Sequence, residues 1–322
     1  MKKVALITGI NGQDGSYLAQ FLLSKNYEVH GTVRNENTSL WRLTYLGIRD
    51  VVSIHHCSLQ NTADIEALIS SIKPTEIYHL AAQSSIPLSK TEPEMTLSFN
   101  YFSTLSILEY VRKSSAATKV FHASTSEMFD PNAPSPITKN SPLKPIHPYG
   151  ASKAACHLLV QSYRNSFDLY VVNGILFPHE SPIRNRGTFL EYIISQAKKV
   201  ASGEASTITV GEPQNIRDFG DARSYVKAMW HSLQASTSDD YTICSGAPLS
   251  IQEILDFVIA QYKLNPKCIK IDNTLVRQPN IPIIYCDPTE TTQKIGWKNS
   301  ISIFETIESI IMFNNEKAKH EF

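Results

Sequence analysis

The chain has 322 residues, 42% of them hydrophobic and 19% charged, with 30 basic side chains balanced by 30 acidic ones. That length supports a sizeable core and excludes a small stapled scaffold, and a formal net charge of zero excludes a global pull toward nucleic acid or an anionic membrane. Five scattered cysteines, with no C-x-x-C pair and no histidine tract at ligand spacing, exclude a disulfide framework and a zinc site; free thiols and no metal are expected.

Lys2-Lys3 precede only a short apolar run at 4–7, too brief for a secretory signal, and nowhere do about 18 consecutive apolar residues occur. A cytoplasmic protein with neither nucleic-acid nor membrane partner is the expectation. Short β-rich runs at 4–7, 28–33 and 76–81 alternate with amphipathic stretches at 17–25 and 63–72. The rhythm continues with a helix at 103–113, a strand at 119–123, a helix at 149–167 and a strand at 169–177. Strand-helix-strand alternation is the βαβ pattern of a parallel sheet, so the fold class is α/β, a Rossmann-type doubly wound sheet.

Pro131, Pro134, Pro136, Pro142, Pro145 and Pro148 predict a long loop over the sheet edge, and loops of that length commonly serve function. Beyond residue 177 the alternation weakens to a helix at 189–202, a short β pattern at 207–210 and a return to the core over 217–233. Residues 1–172 with about 216–243 are therefore expected to form the cofactor-binding domain. A smaller, discontiguous substrate domain would hold about 173–215 with 244–322.

Directly after the first strand come Gly9-Ile10-Asn11-Gly12-Gln13-Asp14-Gly15, a G-x-x-G-x-x-G loop opening a helix. Such a loop lets the backbone approach a pyrophosphate, and the helix N-terminus supplies amide donors and partial positive charge. At the end of the second strand, where an acidic side chain would receive the ribose of NAD, stands Arg34, whose guanidinium suits the 2′-phosphate of NADP; nearby Glu36 keeps NAD open. Leu80, Ala81 and Ala82 offer small surfaces for a ring or ribose. Tyr149-Gly150-Ala151-Ser152-Lys153 puts Tyr149 and Lys153 one helical turn apart, where an ammonium would lower the phenol pKa and make Tyr149 a proton acceptor and donor. Ser124-Thr125-Ser126-Glu127 lies at the end of the fifth strand, where ligand sites of such sheets open.

Taken in order, T-G-x-x-G-x-x-G, L-A-A-Q-S, S-T-S-E-M-F and Y-G-A-S-K resemble the extended short-chain dehydrogenase/reductases. Gly12 to Leu18, Asn173-Gly174-Ile175-Leu176-Phe177, His179-Glu180-Ser181-Pro182, Arg217-Asp218-Phe219-Gly220-Asp221-Ala222 and Gly296-Trp297-Lys298 narrow the likeness to the GDP-mannose 4,6-dehydratases and their relatives, the GDP-4-keto-6-deoxymannose reductases. The resemblance implies that Tyr149 takes the 4-hydroxyl proton, Lys153 holds the nicotinamide ribose, Thr125 binds the 4-oxygen and Glu127 acts at C5. It implies cofactor contacts from Gly9, Asn11, Gly12, Gln13, Asp14, Gly15, Arg34, Leu80, Ala81, Ala82, Tyr149, Lys153 and His179. It further implies that Ser84, Ser126, Asn173, Glu180, Arg217 and Arg277 face the nucleotide sugar, the two arginines at its diphosphate.

Some positions depart from the family pattern. Pro178 replaces the asparagine of N-H-E-S-P, Glu191-Tyr192-Ile193 replaces T-R-K, and Asn280 replaces the glutamate of R-P-A-E, which leaves the nucleotide base open. Thr38 to Gly47 is closer to the reductase segment, while the Thr/Glu/Tyr/Lys set favours dehydration. An NADP-dependent dehydratase of a GDP-hexose is thus expected, with the 4-keto reductase, another NDP-sugar dehydratase, an epimerase or a non-catalytic NADP-binding protein as alternatives. The resemblance implies that the helices at 103–112 and 149–167 form a four-helix dimer seam, within a homodimer or homotetramer; equally they could cover only their own sheet.

Overall fold

A computed structural model of the chain describes residues 2–114, 117–184, 187–276 and 281–317. Its front half runs β1 (Val4–Thr8), α1 (Gln13–Ser24), β2 (Glu28–Val33), α2 (Trp41–Tyr45), β3 (Ser53–His56), α3 (Thr62–Ile72), β4 (Glu76–His79), α4 (Ile86–Thr91), α5 (Pro93–Ser114), β5 (Lys119–Thr125), α6 (Pro148–Phe167) and β6 (Val171–Leu176). The back half contributes α7 (Phe189–Ala201), α8 (Ala222–Gln234), β7 (Asp240–Ile243), α9 (Ile251–Gln261), α10 (Thr289–Ile295) and α11 (Ile303–Lys317), with short strands between them.

The strands β1 to β7 form one sheet in the order β7-β6-β5-β4-β1-β2-β3, parallel at every pairing. Parallel neighbours require helical crossovers, so both faces are covered and the strands are nearly uniformly apolar. Ala5, Ile7, Tyr78, Phe121 and Val172 pack toward α1 and α8, while Leu6, Ile77, Val120 and Val171 pack toward α3, α5 and α6. Strand order reverses between β1 and β4, which opens a crevice at their carboxyl ends.

A second core gathers Leu190, Ile193 and Ile194 of α7, Ile254, Leu255 and Val258 of α9, and Ile303, Ile307 and Ile310 of α11. The expected β pattern at 207–210 is a strand at Ile208–Val210 paired with Ile269–Ile271. The expected domain boundary at 172 cuts β6, which lies wholly in the large sheet because Asn173 to Leu176 pair with both β5 and β7. The fifth helix also starts earlier than its pattern suggested, at Pro93, a residue suited to a first turn that needs no amide hydrogen bond.

The proline-rich segment crosses the carboxyl end of the sheet and is tied down on both sides. Phe129 bridges to Leu143, Ile137 bridges to Cys286, and Lys139 pairs with Asp239 and Glu290. All five cysteines are buried and free. Among the described residues no helix is long and apolar enough to cross a membrane, and no group of three candidate metal ligands occurs.

Candidate active site

The glycine loop is shaped by contacts that leave no room for side chains. Gly9 has φ +73°, and a Cβ on Gly15 would lie 2.4 Å from the Gly9 carbonyl oxygen and 2.7 Å from Ile10 Cα. The backbone amides of Gly9 and Ile10 both donate to the Thr32 carbonyl oxygen, at 3.2 and 3.3 Å, which docks the loop onto β2. Thr8 Oγ1 accepts from the amides of Leu80 and Ala81, each at 3.1 Å, joining the ends of β1 and β4. The first amides of α1 have no carbonyl a turn behind them. They open on the crevice where β1 and β4 diverge, and this loop, with Leu80, Ala81 and Ala82 along its rim, fits a dinucleotide pyrophosphate.

Thr125 ends β5, and its hydroxyl accepts from the amide of Glu127 at 3.3 Å, starting the short turn that carries the carboxylate. Opposite, His147 caps α6: its Nδ1 accepts from the amide of Gly150 at 2.9 Å. Its Nε2 lies 3.0 Å from Glu127 Oε2, so the ring is the neutral Nε2-protonated form donating to the carboxylate. The same ring stacks on Tyr149, with centroids 6.0 Å apart and planes inclined by 9°. One cap residue thus orders the start of α6, the carboxylate and the phenol. Burial pushes the Tyr149 phenol up to about 12, and the hydrogen bond from Thr125 works against that rise.

Lys153 was expected to lower the Tyr149 pKa, but its ammonium lies against β5 instead. Nζ is 3.1 Å from His122 Nε2, and the groups acting on the phenol are Thr125, Glu127, Arg184 and Asp14. Lys153 is buried, and burial presses its pKa down.

Beside the glycine loop stands an ion pair. His179 Nδ1 donates to the Phe177 carbonyl oxygen at 2.7 Å, and Nε2 is 3.0 Å from both oxygens of Asp14. Both ring nitrogens face acceptors, so His179 is an imidazolium. Burial presses its pKa down, but the charge and hydrogen bond of Asp14 reverse this and leave it raised; burial raises Asp14, and His179 and Gln13 bring it below the usual carboxylate range. Gln13 Oε1 accepts from Ser181 Oγ at 2.7 Å. Glu180 is buried, raised by that burial, and paired at 3.1 Å with Arg184, whose Nη1 donates to the His179 carbonyl.

The remaining expected residues are spread more widely. Ser84 and Arg34 are exposed, and the guanidinium of Arg34 lies 6.0 Å from the Phe99 ring centroid at the end of β2. Ser126 is half-buried in the turn between Thr125 and Glu127, and the Asn11 carbonyl accepts from Arg42 at 3.0 Å. Arg217 donates to the carbonyl oxygens of Ile216 and Ile281, at 2.7 and 2.8 Å, bracing the segment after residue 280. Arg277 lies outside the described residues. Asn173, expected at the substrate, is instead fully buried in β6, with its amide committed to His122, Asp240 and the His157 carbonyl. Three residues escaped the sequence reading: His147, Arg184 and His122. Only His147 left a local trace, as a helix cap before Pro148.

The family model for GDP-mannose 4,6 dehydratase matches residues 6–310. GDP-mannose 4,6 dehydratase 2 of Arabidopsis thaliana is 34% identical over 99% of this chain and 89% of its own. The chain belongs to the GDP-mannose 4,6-dehydratase family. Two solved structures share its fold at low identity. A dTDP-glucose 4,6-dehydratase from Bacillus anthracis in complex with NAD superposes with TM-score 0.84 at 17% identity, covering 99% of this chain and 98% of that one. RMD from Pseudomonas aeruginosa complexed with NADPH superposes with TM-score 0.81 at 21% identity, covering 98% and 99%. Across the family match, residues 6–310 hold the glycine loop, the Thr125–Glu127 turn and the Tyr149–Lys153 helix together.

Proposed function

We propose that the protein is a nucleotide-sugar 4,6-dehydratase acting on a GDP-hexose, GDP-mannose first among them, with NADP at the β1/β4 crevice. The observation that carries this is the convergence of Thr125, Glu127 and Tyr149 in a member of the family. The cofactor, when bound, supplies hydride exchange with the sugar carbons. Tyr149 would take the proton of the 4-hydroxyl once the positive charge of the oxidised cofactor, when bound, offsets the burial that holds its phenol up, and Thr125 holds the same oxygen as it becomes a carbonyl. A 4-ketone acidifies the C5 hydrogen, so Glu127 can remove it and pass it to the departing 6-hydroxyl, which leaves as water. With hydride restored at C6, C5 takes up one proton and Tyr149 gives up the one it took from the 4-hydroxyl, so atoms and charge balance over the cycle.

Arg34, standing where β2 ends, supports NADP over NAD through its fit to a 2′-phosphate. Lys153 would hold the nicotinamide ribose, and Arg217 and Arg277 the diphosphate. We place the protein in the cytoplasm as a homodimer or homotetramer, where its buried thiols stay reduced.

Incubation of the purified protein, without added NADPH, with GDP-, UDP-, CDP- and dTDP-sugars while following product mass tests this. Loss of one water from GDP-mannose is expected, and Glu127→Gln should slow it at least about 100-fold. Water loss from another nucleotide sugar would move the substrate. Stoichiometric NADPH consumption on a 4-keto sugar, with no water loss, would replace the dehydratase by the reductase suggested by Thr38 to Gly47.

A further inference from the structure

In a sheet covered on both faces, buried strand positions should be apolar. One row across this sheet is not. His79 of β4, His122 of β5, Asn173 of β6 and Asp240 of β7 are register partners, strand after strand, and each is buried. The row faces the side covered by α5 and α6: Ser103 of α5 touches His79 at 3.3 Å, and Lys153 of α6 reaches His122.

The hydrogen bonds along the row run in a single direction. An ammonium can only donate, so His122 Nε2 is an acceptor at 3.1 Å. The proton of a neutral ring is then on Nδ1, donated to Asn173 Oδ1 at 2.8 Å. That fixes the amide orientation, and Asn173 Nδ2 donates to Asp240 Oδ1 at 3.0 Å and to the His157 carbonyl at 3.1 Å. Every link has its donor on the lysine side and its acceptor on the aspartate side, with a cation at one end and an anion at the other. Such a chain polarises each bond in the sense of the next.

We infer that His122, Asn173 and Asp240 are positioning residues acting through Lys153: a charge-assisted chain laid across β5, β6 and β7 that anchors the ammonium and keeps its proton. The inference rests on Tyr149 and Lys153 being the proton-handling and ribose-holding pair of the proposed reaction. Lys153 needs such an anchor, because burial lowers its pKa and, among the described residues, no carboxylate contacts it. His79 and His122 face it from the sheet and Cys156 from its own helix; burial, with the charge of Lys153, holds His79 down at about 3 and His122 well below its usual value, so both stay neutral beside it. At the far end Asp240 is held by Arg164 and Gln161 of α6, with His157 Nε2 at 3.3 Å. Around Tyr149 the charged groups are Glu127, Arg184 and Asp14, none of which belongs to the chain.

Two measurements test this. In the wild-type protein labelled with ¹⁵N-histidine, His122, assigned by its loss in His122→Gln, should remain the neutral Nδ1-protonated tautomer from about pH 5.5 to 9. A Nε2-protonated ring, or a ring titrating in that range, would overturn the chain. The second is the pH profile of water loss in three variants. His122→Leu and Asp240→Asn should move the falling, alkaline limb about one pH unit downward, since a lysine that gives up its proton at lower pH loses its charge-assisted hold on the nicotinamide ribose. His122→Gln offers an acceptor to Lys153 and a donor to Asn173, and should restore the wild-type profile. A uniform loss of rate in His122→Leu with an unmoved profile would reduce His122 to packing and overturn the proposal. If no nucleotide sugar is turned over, the dehydratase assignment fails while the nitrogen shifts still decide the chain.

Discussion

The pair of Asp14 and His179 sits where the glycine loop meets the strand carrying Glu180, and its protonation makes stability depend on pH in a defined sense. The pKa of His179 is raised on folding, so its contribution is complete below the unfolded value near 6.5 and is lost as pH climbs through the folded value. Asp14 is lowered, so its contribution is complete above the unfolded value near 3.8 and is lost as pH falls through the folded one. The pair therefore stabilises most between those limits. His179→Asn should cost about 3 kcal/mol near pH 5.5, and the difference from wild type should shrink steadily toward pH 9 in urea unfolding at each pH. A cost independent of pH would show that His179 packs as a neutral ring. His147, by contrast, is a neutral tautomer, and its weight falls on geometry: it caps α6, stacks on Tyr149 and donates to Glu127.

At the scale of elements, much of the architecture follows from local sequence pattern. The strands β1, β2, β4 and β5 start where their β-rich runs start, and their ends differ by up to two residues, β4 stopping at His79 rather than 81 and β5 running on to Thr125 rather than 123. The glycine loop was equally legible, since a strand, three spaced glycines and a helix have few other uses. Its glycines are not equivalent, however: a Cβ at Gly15 meets backbone at 2.4 Å, whereas at Gly12 it meets only the Gly9 carbonyl, at 3.3 Å. Gly15→Ala should thus cost about 1–3 kcal/mol and weaken dinucleotide binding by more than tenfold, because the loop itself must shift. Gly12→Ala should leave urea stability within about 1 kcal/mol, and any loss of NADPH binding in it reports the approach of the ligand. Equal stability of the two variants would mean the loop is looser than its contacts indicate. What the sequence hid depends on register. Nothing local in Lys119-Val120-Phe121-His122-Ala123 says that His122 lies beside Asn173, or that Asn173 lies beside Asp240. Family likeness placed Asn173 at the substrate for the same reason: a polar residue in a strand pattern looks like a ligand until its neighbours across the sheet are known.

At the scale of the molecule, α5 and α6 matter for more than covering the sheet. They pack on each other over the face that carries Leu6, Ile77 and Val120, and their outer sides present Phe102 at 53% and Leu158 at 52% exposure. Large apolar side chains this exposed on two adjoining helices fit a surface that is covered in solution, and a two-fold related copy would bring two such pairs together as a four-helix seam. The chemistry gives a reason for it. Tyr149 and Lys153 occupy the first turns of α6, so a seam along α6 would hold the helix that sets both groups over the sheet. Sedimentation should give a dimer, or a tetramer built from dimers. Phe102→Glu combined with Leu158→Glu should yield monomers, since burying two carboxylates per copy in an apolar seam is strongly unfavourable. Neither residue touches the glycine loop or Glu127, so the monomer should still bind NADPH while its dehydration rate falls through a less rigid α6. Wild-type chain sedimenting as a monomer would remove the seam, and a monomeric variant with undiminished rate would show that α6 is fixed by its own sheet alone.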